Sequence, residues 1–143
     1  MEKKLTPFVI DLPKEWEDET VYMFRGPLDG GVQHYLRLII DHHPGKVSLE
    51  DYAADRTAAI KDNLGSIEVL KEEARELPNG RQVFEFVYKW IPSDDKIIFQ
   101  KQVYMILDGI GYTFSCEFTK QTLKTIGVQV DGLINSFEPL DLS

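Results

Sequence analysis

Cysteine is nearly absent. Cys116 is the single one in 143 residues, so no intramolecular disulfide can form. Long apolar runs are missing too, and nothing approaches the roughly 20 residues of a transmembrane helix. The start, "MEKKLTPFVIDLPKEW", has lysines but no apolar stretch of signal-peptide length. A cytoplasmic protein is therefore the expectation, although a chain trimmed of a leader would look the same. Positive charge is in deficit: 16 Lys and Arg against 24 Asp and Glu leave a net charge of −8. That argues against a general binder of nucleic acid or anionic membrane, which would repel the chain at long range. There is no Gly-x-Ser-x-Gly elbow and no glycine-rich phosphate loop. No repeat, low-complexity tract or linker divides the chain, so residues 1–143 read as one domain.

What is present is ordinary globular material, 43% hydrophobic and 28% charged. "FVIDL" (8–12) reads as a short strand ended by Pro13, and "VYMF" (21–24) as a second. "GPLDGG" (26–31) reads as a hairpin loop, with "QHYLRLII" (33–40) returning. Ser48 is placed to cap a helix, with Asp51 three residues on. Leu49, Tyr52, Ala53, Arg56, Ile60 and Leu64 follow at helical spacing, and Gly65 stands where the helix should end. The 49–64 segment is thus predicted as an amphipathic helix.

Residues 66–80 mix helical propensity with alternation; an extended segment turning at "PNG" is the reading adopted. "RQVFEFVYKW" (81–90) sets Phe84, Phe86, Tyr88 and Trp90 on one face and Val83, Glu85, Val87 and Lys89 on the other. "IIFQKQVYMIL" (97–107) and "YTFSCEF" (112–118) complete a three-strand meander. A closing helix near Gln121 carries Leu123, Ile126, Val130, Leu133, Ile134 and Phe137 as its apolar stripe. The class is α+β: a mostly antiparallel sheet of about six strands with two main helices.

Catalytic chemistry finds little support. "IIDHHP" (39–44) holds two of the three histidines beside Asp41. A two-metal site needs further ligands converging on ions about 3.5–4 Å apart, and no Asp-x-Asp pair lies upstream. In an extended strand His42 and His43 point to opposite faces, and His34 lies about 26 Å from His42. Cys116 alternates with Phe114 and Phe118, which places it in the core with a raised pKa. The pairs Glu17/Asp18, Glu72/Glu73 and Asp94/Asp95 sit in polar runs and read as a solvated face. No catalytic residue, metal ligand or cofactor is expected.

The informative feature is apolar excess. Val21 and Met23 share one face of their strand and Tyr22 and Phe24 the other. Leu36, Leu38 and Ile40 oppose Tyr35, Arg37 and Ile39, and strand 97–107 is also two-sided. Antiparallel sheets usually alternate cleanly. Either helices or a dimer mate cover both faces, or one face is left for a ligand. In the second case Leu36, Leu38 and Ile40 line a groove, with Gln100 and Gln102 as amides among the apolar residues Tyr104 and Ile106.

In order along nearly the whole chain, "IDLPKEWEDETVYMFRGP", "LIIDHHPGKVSLEDYAADR", "NGRQVFEFVYKW", "KQVYMILDGIGYTFSCEF" and "INSFEPL" resemble the DcrB-related family. The resemblance implies a PsbP-like α/β/α sandwich. The cytosolic branch is similar to the Eag-type chaperones of type VI secretion, homodimers that shield the N-terminal transmembrane helices of effectors in an apolar sheet groove. Carried over by position, it implies client contacts from Val21, Met23, Arg56, Leu64 and Gln102. Arg56 departs from the family, where glutamine is more usual. The implied function is a non-enzymatic chaperone or adaptor with an effector as partner. The alternatives are a small-ligand or enzymatic domain on the same fold, and a structural adaptor with no apolar client.

Overall fold

The computed structural model describes residues 8–92 and 96–140. The strands are β1 (Glu19–Asp29), β2 (Val32–Asp41), β3 (Ile67–Glu76), β4 (Gln82–Trp90), β5 (Ile98–Leu107) and β6 (Ile110–Phe118). Helix α1 spans Leu49–Leu64; a 3-10 turn at Thr122–Lys124 leads into α2, Ile126–Asn135. The strands form one antiparallel sheet in the order β1-β2-β6-β5-β4-β3. This is the expected α+β class, six strands and two helices.

Alternation divides the sheet into two apolar layers. On one face α1 lays Tyr52 and Ala53 on Phe86, Tyr88 and Tyr104. On the other, Ile126, Val130 and Ile134 of α2 pack on Leu36, Leu38, Val103, Met105, Phe114 and Cys116. Phe86, Val103 and Met105 are fully buried, and each such side chain contributes about 1.5–3 kcal/mol relative to exposure.

Helix α1 begins and ends as its sequence dictates. The Ser48 hydroxyl accepts the Asp51 N–H at 3.1 Å, and Gly65 takes φ 73° while its N–H reaches the Lys61 carbonyl. The segment at 66–80 is strand β3 followed by a turn, as expected.

Three expectations are corrected. Residues 8–12 are not a strand: the Leu12 N–H turns back to the Ile10 carbonyl, and the chain turns again from Pro13 to Trp16. The hairpin loop is not 26–31 but the pair Gly30–Gly31, with φ of 58° and 76°. The strand passes through Pro27 by a bulge between Arg25 and Leu28; on an edge strand the missing N–H costs no ladder bond. Third, Leu133 is 53% exposed. The buried row of α2 is Ile126, Val130 and Ile134, four residues apart, which leaves Leu133 on the flank. The chain before α2 is the 3-10 turn, where Thr122 accepts the Thr119 N–H at 2.9 Å.

Candidate functional site: an open cleft on the α1 face

Strand pairing decides which side chains meet. Met23 stands opposite Arg37, Val21 opposite Ile39, and Arg25 opposite Tyr35. Arg37 pairs with Ser115, Ser115 with Gln102, and Gln102 with Phe86. Opposed residues of an antiparallel pair point the same way, so all of these lie on the face that carries α1.

The helix covers only part of that face. Its first half is anchored over the β2 and β6 ends near Asp41. The Tyr52 hydroxyl donates to Asp41 Oδ2 at 3.2 Å, Arg56 Nη2 meets the same oxygen at 2.8 Å, and the Arg56 guanidinium lies 3.6 Å over the Tyr52 ring. Burial, with further pushes from Asp41, raises the Tyr52 phenol to about 12 against the pull of Arg56. Beyond Leu64 the face is open, as a cleft of about 710 Å³.

Met23, Tyr35 and Trp90 supply apolar wall, with Leu64 closing the helix end. The floor is polar. Gln100 and Gln102 both donate amide hydrogens to Ser115 Oγ, at 2.7 and 3.1 Å. Both glutamines and Ser115 line the cleft. Tyr88 borders the floor; burial and the nearby Glu117 charge raise its pKa against a hydrogen bond from Gln102. Arg37 and Lys96 contribute positive charge at the rim and Glu117 negative charge. The arrangement offers apolar contact and hydrogen bonding, with no nucleophile in it whose pKa is lowered.

The residues singled out from sequence are therefore split between the two faces. Met23, Leu64, Gln100 and Gln102 line the cleft. Val21 shares their face and is 50% exposed. Leu36, Leu38 and Ile40 do not: they lie in the core beneath α2, so the groove expected from them is the wrong face of β2. Arg56 is spent on Asp41 and Tyr52, away from the cleft lining. Tyr35, Arg37, Trp90 and Ser115 were missed; their alternation with buried neighbours was the available signal.

The histidines disperse. His34 is buried with Nε2 2.9 Å from Thr122 Oγ1; His42 lies 3.0 Å from Thr20 Oγ1; the His43 N–H bonds Asp41. Among the described residues no three His, Cys, Asp or Glu gather into a metal-holding group. Glu72 of the paired carboxylates takes Lys61 at 3.0 Å, and Asp94/Asp95 lie outside the described residues. No described helix is long and apolar enough to cross a membrane.

The DcrB family model matches residues 9–134. The chain belongs to the DcrB family. No curated protein sequence matches it. Among solved structures it is similar to PA94 from Pseudomonas aeruginosa, a protein of unknown function, at TM-score 0.74 and 16% identity, over 91% of this chain and 90% of that one. It is also similar to the cyanobacterial PsbP protein of Synechocystis sp. PCC 6803, at TM-score 0.58 and 15% identity over 82% of each chain. LpqN of Mycobacterium tuberculosis, involved in cell envelope biogenesis, gives 0.51 and 12%, over 82% of this chain and 80% of that one. At these identities the likeness is one of fold, and it is the PsbP-like fold.

Proposed function

We propose that this DcrB-family chain is a non-enzymatic cytoplasmic chaperone that shields an apolar, transmembrane-type helix of a type VI secretion effector. The observation that carries the reading is the uncovered part of the α1 face, where Met23, Tyr35, Leu64 and Trp90 surround Gln100, Gln102 and Ser115. A transmembrane helix in water exposes a long apolar surface, and hiding it is worth roughly 25 cal/mol per Å². A cleft with apolar walls meets that need. The polar side chains Gln100, Gln102 and Ser115 on its floor serve polar groups that such a helix brings, and Met23, 55% exposed, adapts to varied shapes.

Co-expression with the N-terminal hydrophobic segment of an effector tests it. The segment should be soluble with wild type and insoluble with a Val21→Asp/Met23→Asp variant whose thermal unfolding is unchanged. Equal solubility with both would remove the cleft from the account.

The cleft's volume also lies in the range of small-molecule sites. Native mass spectrometry of the purified protein distinguishes that second reading, which requires a stoichiometric bound metabolite.

A further inference from the structure

Among the described residues that line the cleft, Glu117 is the one acid. It stands on β6 directly opposite Gln100 of β5. The Leu36–Cys116 pair sets Tyr35 beside it on the other side. Its charge reaches across to the Tyr88 phenol, whose pKa it helps to raise. Among the described residues Glu117 forms no ion pair. A carboxylate without a cation thus borders the polar floor, between apolar walls.

While the cleft is open, water serves that charge, since Glu117 is exposed. A helix seated over Gln100 and Gln102 removes the water. A carboxylate buried alone is costly, and one buried against a cation far less so. The cleft's own cations, Arg37 and Lys96, are exposed and are not paired with it. Their long stems let the charged ends stay in water when the cleft fills. Glu117 is shorter and sits on an interior strand, so it cannot follow them. The group that suits it is a cation brought by the occupant. Tyr35 and Trp90 line the same cleft, and aromatic faces beside a carboxylate favour an ammonium or guanidinium.

We infer that the apolar helix taken by this cleft carries one basic side chain, Lys or Arg, on its inward face, and that Glu117 is the residue that selects it. The inference rests on the helix-binding reading of the cleft and adds the chemistry of its partner. A helix with an acidic residue at that place sets two carboxylates together and is rejected. A wholly apolar helix leaves Glu117 buried alone and binds less well than the basic one.

Isothermal titration of the full chain with a set of synthetic helices tests it. Each is about 20 residues long, with a Leu/Ala face and a Ser/Gln far face that keeps it soluble. They differ only at the centre of the apolar face, which carries Lys, norleucine or Glu. Wild type should bind the Lys helix roughly tenfold tighter than the norleucine helix, and the Glu helix weakest. Glu117→Gln should bind the norleucine helix at least as tightly as the Lys helix, and Glu117→Lys should favour the Glu helix. Equal binding of the Lys and norleucine helices by wild type overturns the inference and leaves the helix-binding reading standing. That is the result if Arg37, diagonal to Glu117 across the β2–β6 pair, serves the carboxylate instead. A Lys preference that survives in Glu117→Gln overturns it as well. No binding of any helix removes the helix-binding reading and the inference with it.

Discussion

Tyr52 lies directly against the bare Cα of Gly111. A Cβ added at Gly111 would overlap the phenol, reaching the ring's Cζ at 2.7 Å. The glycine is there because α1 descends onto the sheet at this point, and Tyr52, 2% exposed, takes the space a side chain would fill. Gly111→Ala should destabilise the fold by about 1–3 kcal/mol through overpacking. Tyr52→Phe removes the atom nearest the added methyl, at the cost of the hydrogen bond to Asp41. In the double variant the two losses should therefore sum to less than their separate values. Urea unfolding of the four proteins measures that coupling.

The two faces of the β1–β2 hairpin predict opposite behaviour for neighbouring substitutions. Leu38 is 7% exposed under α2, while Met23, across the hairpin, is 55% exposed. Leu38→Ala should cost about 2–4 kcal/mol in urea. Met23→Asp should stay within about 0.5 kcal/mol of wild type, as surface changes do. Strong destabilisation by the second would mean the cleft wall is core.

The grouping of Val21 and Met23 with Leu38 and Ile40 shows where a sequence stops being readable. A regular hairpin closed on Gly30 and Gly31 would oppose Met23 to Leu38 and Val21 to Ile40. The bulge between Arg25 and Leu28 shifts the register by one, opposing them to Arg37 and Ile39 instead. Because side chains alternate with period two, one residue of slip exchanges the faces. Local features were legible: the Ser48 cap, the Gly65 terminus, and the alternation that separates Phe86 and Tyr88 from Val83. The cleft was legible in its glutamines and in Leu64, but Ser115 and Trp90 join it only through long-range strand pairing. The isolated apolar pattern of 8–12 misled, since alternation makes a strand only when a neighbour supplies the ladder.

Cys116 should be chemically silent in the folded protein. It lies between Phe114 and Phe118 at 3% exposure, and burial, reinforced by the Glu117 charge, pushes the thiol up to about 12. At pH 8 almost none is thiolate, the form that reacts. Modification by a disulfide reagent should proceed only as fast as the protein opens, and should accelerate through the urea transition. Rapid stoichiometric labelling in native buffer would place the thiol outside the core.

Glu85 should make the fold sensitive to acid. It is 3% exposed on the α2 side of β4, with Lys71 Nζ at 3.2 Å, Lys101 Nζ at 3.5 Å and Arg75 in direct contact. Burial alone would raise its pKa, but Lys101, Arg75 and Lys71 together outweigh it, and the net direction is down. The stabilisation is therefore complete above the ordinary carboxylate pKa of about 4.3 and disappears as pH falls through the lower folded value. Lys101 also holds Asp131 of α2, so protonating Glu85 disturbs the helix seat as well as the sheet. Glu85→Ala leaves those cations without their shared anion and should cost about 3–5 kcal/mol at neutral pH. Glu85→Gln keeps the shape, loses the charge, and should flatten the fall in unfolding free energy between about pH 5 and pH 2 relative to wild type. Urea titrations at stepped pH measure both; an equally steep fall in Glu85→Gln would assign the acid sensitivity to other carboxylates.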